Sequence, residues 1–308
     1  MIKVFIDGQV GTTGLRIKER LLERKDVELI TIPDELRKDV NAKKDYINSA
    51  DVTFLCLPDA AAKESAMIAS ESVKIIDAST AHRTAPSWAY GFTELGEEFY
   101  QKVKTGNRIA NPGCHASGFI ALVYPLIASG VLSKDYKLDC TSITGYSGGG
   151  KGMISDYESE QRDHLLDAPR MYGLTQTHKH LPEMSYVTGL TKTPSFMPIV
   201  SDFYSGMQVI VPIELGALKG IENLQNLKTL FKDFYQGKKL VQAVDFEGSF
   251  ISANALRGKD IMQVGVVGND ERAVLVSLFD NLGKGASGAA IQNFNIMTGS
   301  NETEGLIL

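Results

Sequence analysis

Ile2-Lys3-Val4-Phe5-Ile6-Asp7-Gly8-Gln9-Val10-Gly11-Thr12-Thr13-Gly14 opens the chain, and its reading decides the fold. An apolar strand-like run enters a turn containing three glycines. Leu15, Ile17, Leu21 and Leu22 then fall near helical spacing in a segment that reads as a helix up to Arg24. Strand, glycine turn and helix in that order form the setting in which a dinucleotide pyrophosphate is held. Gly8 and Gly11 let the backbone turn tightly and approach phosphate, and Gly14 lets the helix pack closely on the strand. The N-terminus of that helix, which begins at Leu15, supplies N–H donors to phosphate. The spacing is Gly-x-x-Gly-x-x-Gly, which a plain glycine-rich βα turn also shows.

Outward from this turn the βα alternation continues. A second strand, 27–32, ends in Pro33-Asp34-Glu35-Leu36-Arg37. An acid at this position holds a ribose hydroxyl of NAD, and a nearby Arg accommodates the extra phosphate of NADP. Asp34 and Arg37 are both present, so the loop leaves the cofactor open. Strands at 51–58 and 73–77 flank a helix at 60–70, which predicts a doubly wound parallel sheet with helices on both faces. Ligands of such sheets sit beyond the carboxyl ends of the strands. There Arg83 is a candidate anion ligand, with a surface ion pair as the alternative, and His82 reads as a loop residue.

Asn111-Pro112-Gly113-Cys114 closes a short strand and precedes an apolar run, 116–132, that reads as a helix interrupted at Pro125. The first helical turn carries unpaired N–H groups and the positive end of the helix dipole, which favour a thiolate at Cys114. A small buried residue at a strand–helix junction is the alternative reading. Further along, Gly145-Tyr146-Ser147-Gly148-Gly149-Gly150-Lys151-Gly152 reads as a loop suited to close ligand approach. His178-Lys179-His180-Leu181-Pro182-Glu183 supplies two imidazoles and a carboxylate, the groups acid–base catalysis near neutral pH uses. The same set could ligate zinc, but no compact group of further Cys or His ligands accompanies it, and no metal is expected. A small-residue helix following Asp280-Asn281 could return to the first domain.

The length of 308 residues predicts about two domains. A net charge of −5 argues against a nucleic-acid partner. Cys56, Cys114 and Cys140 are far apart and odd in number, which points to a reducing compartment rather than a disulfide framework. The chain has no signal-like start and no apolar run approaching the ~20 residues that span a bilayer. A cytoplasmic protein without a membrane partner is therefore expected.

Taken together, these motifs resemble the N-acetyl-γ-glutamyl-phosphate reductases in their shorter form. The likeness rests on Gly8–Gly14, Asp77–Arg83, Asn111–Cys114, Tyr146–Gly152, His178–Glu183 and Asn281–Asn293, in the family's order. It implies a Rossmann domain (1–113 and 284–308) and an α+β catalytic and oligomerisation domain (114–283) of the semialdehyde-dehydrogenase type. It also implies NADP(H), an acyl phosphate substrate and a homodimer or homotetramer. Cys114 would attack the acyl phosphate and form a thioester that hydride reduces, with His180 or His178 as acid–base and Glu183 fixing the imidazole. Gly8, Gly11, Thr12, Thr13, Gly14, Arg37, Asn281 and Lys284 would hold the cofactor, and Arg83, Asn111, Ser147 and Gly149 the substrate. The loop Asp77–Arg83 departs from the longer enzymes, which carry an acidic–aromatic pair before the Arg. Reductases of aspartyl phosphate or of a lysine-pathway acyl phosphate are the nearest alternative. A non-catalytic NADP-binding regulator is another, though it has no use for Cys114 or the histidines. Glyceraldehyde-phosphate dehydrogenase ranks below these alternatives, because its Ser-Cys-Thr-Thr-Asn motif is missing.

Overall fold

The computed structural model describes residues 1–308. The chain folds as two units, Met1–Gly113 with Ala286–Leu306, and Cys114–Gly285 with Ile307–Leu308. The return to the first unit comes at Ala286 rather than at 284, which leaves Lys284 in the second.

In the first unit the elements run β1 (Ile2–Asp7), α1 (Thr12–Leu22), β2 (Val27–Ile30), α2 (Val40–Ser49), β3 (Val52–Leu55), α3 (Asp59–Ile68), β4 (Lys74–Asp77), β5 (Ala89–Tyr90), α4 (Glu97–Thr105) and β6 (Arg108–Ala110). All strands pair in parallel, in the order β2-β1-β3-β4-β6-β5. Alternate residues of β1 feed opposite faces, as a strand's period of two requires. Val4 and Ile6 join a core with Ile17 and Leu21 of α1, whereas Phe5 joins Ile47 of α2. The buried stripe of α1 is Gly14, Ile17 and Leu21; Leu15 and Leu22, read as part of it, are exposed. The closing helix Gly288–Thr298 contributes Ala290, Ile291, Phe294 and Met297 to the Val4 core. Arg24 fixes it: the guanidinium donates to Asn295 Oδ1 and to Asp26 Oδ2 (2.7 Å) and lies 5.2 Å from the Phe294 ring centroid.

The second unit contains α5 (Cys114–Ala128), β7 (Asp139–Gly145), α6 (Gly150–Glu158), β8 (Arg170–Met171), α7 (Leu181–Thr188), β9 (Ser195–Ser201), β10 (Met207–Glu214), α8 (Leu224–Phe234), β11 (Val241–Ala243), β12 (Met262–Gly268) and β13 (Arg272–Phe279). They build a mixed sheet in the order β11-β12-β13-β10-β7-β9-β8. β7 with β9 and β11 with β12 are parallel pairs, and the other pairs are antiparallel. No helix is long and apolar enough to cross a membrane.

Two sequence expectations change here. Pro125 does not interrupt the helix that begins at Cys114, because α5 runs through it to Ala128. Proline removes the donor that would have reached the carbonyl of Ala121, four residues back. The Tyr235 hydroxyl donates to that carbonyl instead, at 2.8 Å. The glycine stretch after β7 is not an open loop but a 3₁₀ turn (Tyr146–Gly149) leading into α6. The Ser147 N–H donates to the Tyr204 carbonyl (3.0 Å), and Met153 packs over Gly149, so neighbours supply the order that glycine lacks.

α5 lies against β10 and β13, and Gly118 allows that approach. A Cβ there would sit 2.4 Å from Val209 Cγ2 and 2.8 Å from the Ser277 Oγ. Overpacking of this kind typically costs about 1–3 kcal/mol. Gly118→Ala is therefore expected to lower the denaturation midpoint by that order in free energy, and an unchanged urea midpoint would contradict this packing.

Candidate active site

In the first unit the glycine turn is required at two of its three glycines by the chain itself. Gly8 has φ +89°, and a Cβ on it would lie 2.3 Å from the carbonyl oxygen of Cys56. A Cβ on Gly14 would lie 2.5 Å from the carbonyl oxygen of Gly8. Gly11 is different, since a Cβ there meets nothing nearer than 3.5 Å. It caps α1 in extended conformation, with Thr12 and Thr13 opening the helix. Nothing in the fold requires glycine at position 11. Beyond β2, Arg37 forms an ion pair with Asp34 at 2.6 Å, and its Nε is buried without a hydrogen-bond partner.

The turn ahead of Cys114 is braced from within the same unit. Arg83 is buried, and its guanidinium donates to the backbone carbonyls of Asn111 and Ala78, each at 3.0 Å. Asn111 N–H donates to the Asp77 carbonyl at 2.8 Å. Its side-chain amide donates to the Ala286 carbonyl (3.0 Å) and accepts from Asn293 Nδ2 (3.1 Å). Asn111 was expected to bind substrate. Instead its amide is engaged inside the unit at both ends, and it holds the turn. Arg83 is buried rather than on the surface, and it fixes the main chain leading to Cys114. His82 is more than a loop residue, since its Nδ1 lies 2.6 Å from Asp77 Oδ2 and its ring stacks on Trp88 at 3.9 Å.

Cys114 is the first residue of α5 and of the second unit. Its Sγ, one imidazole nitrogen of His115 and one of His180 lie within 4.8 Å of one another. His180 caps α7 and is buried, and Pro182 in the first turn sets the helix start. His178 is half-buried and its Nδ1 accepts a hydrogen bond from the His180 N–H at 3.2 Å. Burial, then the charge of Lys179, holds the His178 imidazole below its ordinary value. Glu183 is buried in the first turn of α7, where a carboxylate complements the helix dipole. The set of Cys114, His115 and His180 offers three ligand atoms to a soft metal, but both nitrogens of His115 already have partners, one of which a metal would displace.

Four residues expected at the site, Asn281, Ser147, Gly149 and Lys284, lie in the second unit. Asn281 donates to Ser147 Oγ (3.0 Å) and accepts from the Gly206 N–H (2.9 Å), so its amide ties the turn after β7 to the residue before β10. Both Asn281 and Ser147 are buried. Gly149 faces the Met153 side chain of its own helix. Lys284 is buried in the second unit.

Sequence reasoning missed His115, Tyr172, Ser142 and Phe196. The His115 ring centroid lies 5.5 Å from His178, 5.5 Å from His180 and 5.4 Å from Phe196. Its Nδ1 is 2.7 Å from Ser142 Oγ and its Nε2 is 2.7 Å from Tyr172 Oη. Burial, then the charges of His178 and Lys179, lowers its pKa to about 3, so the ring is neutral. The available signal was a histidine directly after Cys114 in a chain with only five. The loop before His178 is pinned by Gln176, the one non-glycine residue at positive φ (+55°). Its side chain pairs with both backbone groups of Phe196, at 2.7 and 2.8 Å.

The three cysteines are unequal. Burial, then Asp77 and Asp7, pushes the Cys56 thiol up to about 12, and burial pushes Cys140 well above its ordinary value. Iodoacetamide near pH 7 is therefore expected to label Cys114 first, read by peptide mass mapping. Equal rates in the folded protein would remove the case for an activated thiol.

Residues 3–103 match the NAD-binding domain of semialdehyde dehydrogenases, and residues 114–281 match the dimerisation domain of semialdehyde dehydrogenases. The chain is 45% identical to N-acetyl-gamma-glutamyl-phosphate reductase 2 of Nostoc sp., with 99% of each covered. It is 44% identical to N-acetyl-gamma-glutamyl-phosphate reductase of Chelativorans sp., covering 96% of this chain and 97% of that one. Among solved structures, aspartate semialdehyde dehydrogenase of Francisella tularensis superposes with a TM-score of 0.72 at 15% identity, over 97% of this chain and 100% of that one. That likeness is one of fold.

Proposed function

This chain belongs to the N-acetyl-gamma-glutamyl-phosphate reductase family, and from that premise we propose that it reduces N-acetyl-L-glutamyl 5-phosphate to the 5-semialdehyde and phosphate, in arginine biosynthesis, through a thioester on Cys114. It is an oxidoreductase with a nicotinamide-binding domain of the semialdehyde dehydrogenase type. The observation that carries the mechanism is the convergence of Cys114 Sγ and a His180 nitrogen within 4.8 Å at the start of a buried helix.

An acyl phosphate is activated toward a soft nucleophile. His180 takes the thiol proton, the Cys114 sulfur forms a bond to the acyl carbon, and phosphate leaves with the electron pair of the broken C–O bond. The nicotinamide, when bound, supplies hydride to the thioester carbon. The resulting thiohemiacetal oxyanion collapses to the aldehyde and releases the Cys114 thiolate, which His180 can reprotonate. Splitting one hard step into two is the gain of covalent catalysis. Backbone N–H groups at the start of α5 are placed to hold the oxyanion, and a donor so placed is typically worth about 3 kcal/mol. Glu183, one helical turn after His180, orients its imidazole. His178 contributes to substrate binding, because its Nδ1 lone pair is occupied by the His180 N–H.

The cofactor reading is NADPH, held at Gly8, Gly11, Thr12, Thr13 and Gly14. Its support is Arg37, a partly exposed guanidinium just beyond β2, where an Arg accommodates the 2′-phosphate. Arg37→Ala is expected to raise the KM for NADPH about tenfold or more, a loss of ~1.4 kcal/mol, with the KM for NADH unchanged. Equal effects on both cofactors would reverse that assignment. A cytoplasmic homodimer or homotetramer completes the proposal.

The test is an NADP-linked assay in the reverse direction with N-acetylglutamate semialdehyde and phosphate. Phosphate-dependent reduction of NADP is expected. Turnover of aspartate semialdehyde instead of the acetylated compound would overturn the substrate.

A further inference from the structure

The contacts of His115 specify which of its nitrogens carries the proton. Ser142 Oγ belongs to a fully buried residue, and its one hydrogen-bond partner is His115 Nδ1 at 2.7 Å. A buried hydroxyl left without an acceptor costs the full desolvation of that group, so its hydrogen goes to the only lone pair in reach. Nδ1 therefore accepts, and in a neutral imidazole the proton then sits on Nε2. Nε2 faces Tyr172 Oη, again at 2.7 Å, so His115 donates and the tyrosine oxygen accepts. The opposite tautomer would strand the Ser142 hydrogen and take up the Tyr172 hydrogen instead.

The consequence falls on Tyr172. Its oxygen is satisfied by His115, and its own O–H hydrogen has no acceptor within the protein. The phenol keeps that proton, because burial and then the charge of Cys114 push its pKa well above the ordinary tyrosine value. His115 follows Cys114 directly in the chain, and one of its nitrogens lies within 4.8 Å of the Cys114 Sγ.

We propose that Tyr172 is a further catalytic residue, donating a hydrogen bond to the oxygen on the carbon that Cys114 attacks. Ser142 and His115 are the positioning residues that keep that hydrogen available. No bond to the phenolic hydrogen breaks; the interaction strengthens as charge develops on the substrate oxygen. The proposal rests on the thioester reading above and deepens it.

The test has two arms. Imidazole ¹⁵N NMR of the wild-type protein, with His115 assigned by loss of its signals in His115→Gln, is expected to show Nδ1 unprotonated and Nε2 protonated. A protonated Nδ1 overturns the positioning role. In the reverse assay, Tyr172→Phe is expected to lower kcat about 10²-fold, the usual cost of one oxyanion donor, with KM little changed. Ser142→Ala is expected to lose part of that kcat, and Ser142→Thr, which keeps the hydroxyl, to recover it. A wild-type kcat in Tyr172→Phe overturns the catalytic role, and a wild-type kcat in Ser142→Ala overturns the relay. Failure of the wild type to turn over N-acetylglutamate semialdehyde would instead sink the function proposed above, and the NMR arm would still decide the tautomer.

Discussion

Cys114→Ser is expected to reduce turnover of N-acetylglutamate semialdehyde by on the order of 10⁴-fold or more, the scale seen when a covalent nucleophile is removed. The substitution keeps the shape of the side chain and the helix start, so the loss isolates the chemistry. A hydroxyl titrates far above a thiol, and the partial charge at a helix N-terminus, worth at most ~2 kcal/mol, falls well short of making an alkoxide near pH 7. An oxygen ester would also resist hydride more than a thioester does. Rapid quench of the wild type should trap acyl-enzyme at Cys114, and the variant should show none. Activity retained in Cys114→Ser would require direct hydride transfer to the acyl phosphate and would end the covalent mechanism.

The second large effect is expected at His180. His180→Gln should lower kcat by about 10²–10⁴-fold, the range associated with a positioned general acid–base. His178→Gln should act mainly on KM. The asymmetry comes from geometry: His180 offers a nitrogen to the cluster containing Cys114 Sγ, whereas His178 uses Nδ1 to accept from the backbone of His180. A larger loss of kcat in His178→Gln than in His180→Gln would exchange the two roles. The ratio is the decisive quantity, because either substitution alone could slow the enzyme by disturbing the turn that both share.

The fold was legible at Gly8–Gly14 and along the βα alternation because those patterns report local geometry. The glycines at 8 and 14 answer to distances of 2.3 and 2.5 Å that only a residue without Cβ tolerates. Pro125 misled because its consequence depends on Tyr235, more than a hundred residues away, filling a vacated carbonyl. The candidate site was legible in residue type at Cys114, His178 and His180, of which the structure brings Cys114 Sγ and a His180 nitrogen within 4.8 Å. It was illegible where the same residue type serves the scaffold. Asn111, Asn281 and Ser147 are polar groups that could bind a ligand, and only the structure shows their hydrogen bonds engaged by Asn293, Gly206 and one another. His115 was hidden for the converse reason. In a helix the residue after Cys114 points roughly a hundred degrees away, so sequence alone gives no cause to join them. The bonds from Ser142 and Tyr172 turn it into the cluster.

The pairing of Gln176 with Phe196 divides the attachment of the histidine loop between two kinds of anchor. At its start the loop is held by backbone, where Arg170–Met171 pairs with β9 and the Tyr172 N–H donates to the Pro198 carbonyl. Further along, the side-chain amide of Gln176, at positive φ, imitates a strand and takes both backbone groups of Phe196. A substitution at residue 176 would therefore loosen the segment nearest His178 while the pairing of β8 with β9 stays in place.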